Sequence, residues 1–224
     1  MNASIAHIEA DREEVANTLT HGLGVVLAAV GTIVLLNAAQ SSSQPHALVA
    51  CAVYGATMIV LYLASTLYHA ACARRPVGFE CSPDWLQIFD HIAIFLLIAG
   101  TYTPYVVISL RGAWGWSLFA IVWLLAALGV IFELTSLRRF RGAMIALYLG
   151  MGWVGIVAIK QLFAALAPAG VWLVLVGGLA YSLGVIFYKM KSLRYHHAIW
   201  HLFVLAGSVL FYFSILLYVI PAKT

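Results

Sequence analysis

The stretch from His197 to Ile220, HAIWHLFVLAGSVLFYFSILLYVI, decides the fold. It runs for 24 residues without an Asp, Glu, Lys or Arg. As a helix it reaches about 36 Å at roughly 1.5 Å per residue, enough to cross a hydrocarbon core about 30 Å thick. Six similar runs precede it, at 18–39, 47–72, 86–109, 113–134, 142–160 and 170–188. A transmembrane β-barrel would alternate apolar and polar residues over segments of about ten, whereas these runs are continuous. The sequence therefore predicts an all-α protein, a seven-transmembrane-helix bundle crossing the cell membrane.

Composition agrees. Charged residues make up 9% of the 224 and apolar or aromatic ones 64%, with a mean hydropathy of +0.99. An ordinary soluble domain carries about 25% charge, and a disordered chain has far less apolar content. Around the membrane domain, 18–220, we expect a cytoplasmic segment at 1–17 and a short outer tail at 221–224. The first 17 residues carry Glu9, Asp11, Glu13 and Glu14 and do not read as a signal peptide. The net charge is +4, but no soluble basic domain exists to meet nucleic acid, so none is expected. The expected partners are membrane lipids, one of them a candidate substrate; no protein partner is predicted.

The cations set the orientation. Arg12, Arg74, Arg75, Arg138, Arg139, Arg141, Lys189, Lys191 and Arg194 fall on the side of the N-terminus, and Arg111, Lys160 and Lys223 on the other. Cytoplasmic loops carry the excess of Lys and Arg, so the N-terminus is cytoplasmic and the C-terminus outside.

Ionisable side chains are costly in lipid and tend to mark function. Those in the spans collect in one leaflet: His21, His69, Asp90, His91, Glu133, His196, His197 and His201, with Ser65 one turn from His69. His197 and His201 are four residues apart and share a helix face, a spacing that suits two ligands of one metal. His69 supplies a third imidazole from another span. Three histidines and an open position suit a catalytic zinc, which lowers the pKa of its water to about 7. Asp90 is the candidate to hold or deprotonate that water, and Ser65 to orient Asp90 or donate to a forming oxyanion. His21 is a candidate to support a ligand from behind or simply to pack. His91 and His196 point away from their neighbours, by about 100° per residue. Glu133 reads as an interfacial partner of the Arg138–Arg141 cluster.

The three cysteines, Cys51, Cys72 and Cys81, are too few for a disulfide framework and read as reduced thiols. A soft site of His69, Cys72 and Cys81 is the lesser alternative, because a structural zinc needs four ligands. Pro104 should kink the third span, with nearby threonines satisfying freed carbonyls. Gly150, Gly152 and Gly155, and Gly177, Gly178 and Gly184, suit close helix packing. Trp85, Trp114, Trp116 and Tyr195 read as interfacial anchors.

Four motifs together resemble a known family. They are Glu14-x2-Asn17-x2-Thr20-His21-Gly22; Ser65-x3-His69; Asp90-x3-Ile94 with Ile98-Ala-Gly-Thr-Tyr-Thr-Pro104; and His197-Ala-Ile-Trp-His201-Leu-Phe-Val204. They resemble the bacterial hemolysin III family, of the progestin and adipoQ receptor (PAQR) superfamily related to alkaline ceramidases. The resemblance covers essentially the whole chain. It implies one zinc ion per chain on His69, His197 and His201 near the cytoplasmic face, with Ser65 and Asp90 around it. It also implies a departure: Phe211 stands where superfamily members often carry a further histidine.

Three functions compete. The first is a zinc-dependent hydrolase of lipid amides or esters serving membrane homeostasis. The second is a non-enzymatic sensor of membrane fluidity with a structural zinc. The third is a hemolysin-like cytolytic or channel protein. A pore would carry polar residues through both leaflets, and the ionisable groups here stop in one.

Overall fold

The computed structural model describes residues 3–75 and 84–220. The expected outer tail at 221–224, with Lys223, and most of the loop after the second span lie outside the described residues.

The first helix, α1 (Ala3–Ser41), runs unbroken from the acidic N-terminal stretch into the membrane. Its buried positions, Asn17, His21, Ala28 and Leu35, repeat at helical spacing, while Leu19, Leu23, Val26, Val30 and Ile33 face outward. That is an amphipathic helix with lipid in place of water on its outer face. The turn expected at 41–45 separates it from α2 (Ala47–Ala73). A Cβ on Gly24, Gly55 or Gly100 would strike Tyr62, Thr32 or Thr57 respectively. These three glycines let α1, α2 and the next helix approach closely.

The third span begins as α3 (Asp84–Pro104). Proline has no N–H to give the Gly100 carbonyl, and the chain continues as a wider π turn, Tyr105–Leu110, instead of a simple kink. The Thr101 and Thr103 hydroxyls donate to the carbonyls of Leu97 and Ala99 at 2.8 and 2.9 Å. Helix α4 (Gly112–Leu134) forms the fourth span. The fifth is broken into α5 (Arg141–Trp153), a 3-10 turn Val154–Ala158, and α6 (Ile159–Ala165). The break has a cause: the Tyr102 hydroxyl donates to the Gly152 carbonyl at 2.6 Å and accepts from the Gly155 N–H at 2.9 Å. A side chain inserted into the ladder bends the helix. Gly150 and Gly152 do not serve close packing as expected: nothing lies where their Cβ would be. Gly155 does, against the Tyr102 ring at 2.9 Å.

The sixth span is α7 (Pro168–Lys189), with proline in its first turn, where no N–H is needed. The seventh is α8 (His196–Ser214), ending in a second π turn, Ile215–Val219. All seven helical segments are long and apolar enough to cross a membrane. The chain is a seven-span all-α membrane bundle.

Helices α2 and α3 are the most enclosed, whereas α5 and α7 bury little of themselves. A belt of hydroxyls crosses the middle of the bundle. Tyr62 donates to the Ser208 hydroxyl at 2.7 Å, Tyr181 bonds the same oxygen at 2.9 Å, and Tyr54 reaches the Ser208 carbonyl at 3.4 Å. This belt ties α2, α7 and α8 together below the basic end, where unpaired hydroxyls would be expensive.

Candidate metal centre

His69 lies in the last turns of α2, and His197 and His201 in the first two turns of α8. The structure brings the three together. Their nearest candidate ligand atoms all fall within 4.8 Å of one another, and the ring centroids are 4.7–5.0 Å apart. All three Nε2 atoms are buried and have no hydrogen-bond partner. An orphaned buried nitrogen is costly, and the three histidines lie close enough together to hold a metal ion.

Two of the rings are turned to make this so. The Glu14 carboxylate takes the His69 Nδ1–H at 2.6 Å. The Thr20 hydroxyl lies 3.1 Å from His201 Nδ1, and its own proton goes to the Ala16 or Asn17 carbonyl. Thr20 therefore accepts from His201. In both histidines the proton resides on Nδ1 and the Nε2 lone pair is free, the arrangement that supporting partners impose on metal-bound imidazoles. Glu13 adds a third brace: its carboxylate accepts from the Tyr195 N–H at 2.9 Å, just before α8. Tyr195 holds a left-handed backbone there, with φ of 58°.

Glu14 and Thr20 enter the reading of the sequence only as part of a family motif, and Glu13 only as an acidic residue of the polar segment 1–17; none is expected there to hold a histidine or the start of α8. A signal was present, because Glu14, Asn17 and His21 are spaced i, i+3, i+7 and share one face once α1 is extended backward.

Asp90 is buried on α3 beside Ser65, His69 and His91. Ser65, one turn before His69, is also buried, and its hydroxyl oxygen has no fully formed hydrogen bond. His21 stacks flat on His201 at 3.5 Å and meets Tyr62 edge-on at 5.1 Å. Neither of its nitrogens has a partner, and it stands outside the converging set.

Three expectations are corrected. Glu133 is not a rim partner of the arginines: it is 1% exposed and faces His91 Nδ1 at 3.2 Å. Arg138 reaches Asp84 instead, because the last turn of α4 turns Glu133 inward toward α3. The soft site also fails, since Cys72 is disulfide-bonded and both His69 nitrogens face elsewhere. The reduced-thiol reading therefore holds for the buried Cys51 and not for Cys72. Cys81 lies outside the described residues.

His69, His197 and Asp90 line a cavity of about 690 Å³; His201, packed against both rings, is not part of its wall. Past the polar end its walls are apolar, running by Leu61, Leu97, Val106 and Val174 as far as Leu110 and Leu118. Phe211, at the position of the family departure, is part of this wall. A metal held by the three histidines would stand at the polar end of an apolar chamber that Asp90 also lines, where it would polarise a group carried on an apolar chain.

The comparisons with known proteins agree on the kind of chain. The family described as Haemolysin-III related matches residues 10–212. Hemolysin-3 of Bacillus cereus is 46% identical over 213 residues, covering 95% of this chain and 94% of that one. The Hemolysin-3 homolog of Bacillus subtilis (strain 168) is 42% identical over 207 residues, or 92% and 94% of the two chains. The human Monocyte to macrophage differentiation factor is 26% identical over 213 residues, 95% of this chain and 87% of that one. With two such relatives above 40% and the family pattern spanning nearly all of it, this multi-pass membrane chain belongs to the Haemolysin-III related family.

Proposed function

We propose that the chain is a zinc-dependent hydrolase of lipid amides or esters, acting at the inner leaflet in membrane homeostasis. The observation that carries this reading is the grouping of His69, His197 and His201, their Nε2 atoms partnerless, with His69, His197 and Asp90 on the wall of the apolar cavity. The cavity's size falls within the roughly 300–1,000 Å³ of small-molecule sites.

The donor set fits zinc, which favours imidazole ligands and commonly takes three of them. Bound there, zinc supplies Lewis acidity and an activated water. The chain's own residues do the rest. Glu14 and Thr20 hold two ligands in the right tautomer. Asp90 takes the proton that water releases as its oxygen joins the carbonyl carbon. It returns that proton to the leaving nitrogen or oxygen as the C–N or C–O bond breaks. Ser65 orients Asp90, and the apolar wall holds the acyl chain and excludes water.

A structural role for the metal is favoured by one observation: the ligands come from α2 and α8, so an ion would join the two helices. One experiment separates the readings. Metal content and turnover on a panel of lipid amides and esters are measured for detergent-purified wild type, Asp90→Asn, and His197→Ala with His201→Ala. We expect about one zinc per chain in wild type and Asp90→Asn and none in the double variant. Turnover should fall at least a hundredfold in Asp90→Asn, the scale of a lost general base. Metal-free folded wild type would overturn the metal centre, and undiminished turnover in Asp90→Asn would overturn the base.

A further inference from the structure

The cavity has cations at its mouth that the metal centre does not use. Arg141, the first residue of α5, and Lys189, the last residue of α7, both line it. Lys191, two residues beyond, lines it as well. All three are exposed at the basic end of the bundle. Among the described residues, Lys189 and Lys191 have no side-chain hydrogen bond or ion pair. Arg141 holds only neutral groups, His91 Nδ1 at 3.1 Å and Gln87 Oε1 at 3.5 Å. The Tyr188 hydroxyl also lines the cavity and makes no hydrogen bond among the described residues.

The carboxylates nearby are committed elsewhere. Glu13 is on the Tyr195 N–H, Glu14 on His69, and Asp90 is buried beside Ser65. Glu133 approaches the same His91 Nδ1 that Arg141 reaches, so the cations left without an ion-pair partner among the described residues are Lys189 and Lys191.

The backbone explains how a lipid would reach them. Helices α5 and α7 are bridged by Trp153, whose indole N–H donates to the Ser182 hydroxyl at 3.0 Å. On the basic side of that bridge no hydrogen bond or ion pair joins α5 to α7 among the described residues. Yet both helices line the cavity there, through Met144, Ile145 and Tyr148 on one side and Val185 and Tyr188 on the other. An acyl chain passing between them enters the chamber. Its headgroup then comes to rest between the start of α5 and the end of α7.

We propose that this cluster, Arg141 with Lys189 and Lys191, binds the phosphate of an anionic inner-leaflet lipid. The seam between α5 and α7 is then that lipid's way into the cavity. This names the substrate class for the hydrolase reading and rests on it for turnover, but the binding stands without turnover. Positive-inside charge alone would not select the cations that face the cavity. Arg138 and Arg139 carry as much charge at the same membrane face and do not line the cavity.

The test uses the full chain in phosphatidylcholine nanodiscs holding a few mole per cent of spin-labelled phosphatidylglycerol or spin-labelled phosphatidylcholine. The immobilised fraction is read by electron paramagnetic resonance. We expect a preference for phosphatidylglycerol on the order of five- to thirtyfold, the scale set by one or two lysines at a membrane surface. It should fall to near parity in Lys189→Gln with Lys191→Gln and persist in Arg138→Gln with Arg139→Gln. It should also persist in Asp90→Asn, so that failure of the hydrolase reading leaves the binding result intact. Equal loss in both double variants, or no preference in wild type, would overturn the site. Displacement of the labelled lipid by millimolar inorganic phosphate at constant ionic strength would overturn the lipid as its ligand, in favour of a soluble phosphate compound.

Discussion

At the residue scale, the centre depends on side chains that never touch the metal position. Glu14 holds His69 by one hydrogen bond of 2.6 Å. Removing it as Glu14→Ala frees the ring to rotate and to place its proton on either nitrogen. Zinc affinity should fall ten- to a hundredfold, the usual cost of losing such a support, as read by competition with a chelating dye. An unchanged affinity would mean that packing alone positions His69. The three histidines that come together were legible in the sequence because an imidazole in lipid is expensive and so stands out. Glu14 was not, because an acidic residue in a polar stretch reads as solvated surface. Glu133 misled for the same reason in reverse: its position near an arginine cluster suggested the rim, and only the turn of α4 shows it buried against His91.

At the scale of elements, seven spans were legible because twenty apolar residues in a row admit little else, but the first helix starts at Ala3, far ahead of the expected 18. Their irregularities were not. Proline announces a disturbance at position 104, but whether the helix kinks or widens depends on what packs around it. The break in the fifth span comes from Tyr102 on another helix, a contact that no local pattern encodes. Tyr102→Phe removes both the donor and the acceptor at that break. The Gly152 carbonyl and Gly155 N–H then lose their partner, and the variant should lose about 1–2 kcal/mol. Its unfolding midpoint in mixed detergent, compared with wild type, is the measurement. A variant as stable as wild type would show that the backbone closes the gap by itself.

At the scale of the whole molecule, the ligands tie the second helix to the last. An ion bound only by the folded chain stabilises it by about 4 kcal/mol when its concentration is a thousand times Kd. Chelation should therefore lower the melting temperature of the wild type in detergent and leave His197→Ala with His201→Ala unmoved. A melting curve insensitive to chelator in both proteins would argue that the centre bears no load. The same long-range closure explains why the sequence could propose three histidines without proving their meeting. Residues 69 and 201 meet through long-range packing that no local pattern encodes: the hydroxyl belt at Ser208, the close approach of α1 to α2, and the α1 side chains Glu14 and Thr20 that hold the two rings.

The division of the ligands between the second and the last helix also bears on biogenesis. His69 enters the bilayer early in synthesis, and its partners enter only with the final span. Until then the centre is one imidazole braced by Glu14, too few donors to retain an ion. An ion held by the three histidines would therefore be the last part of the centre to arrive, and a metal-bearing chain would be one whose final span is in place.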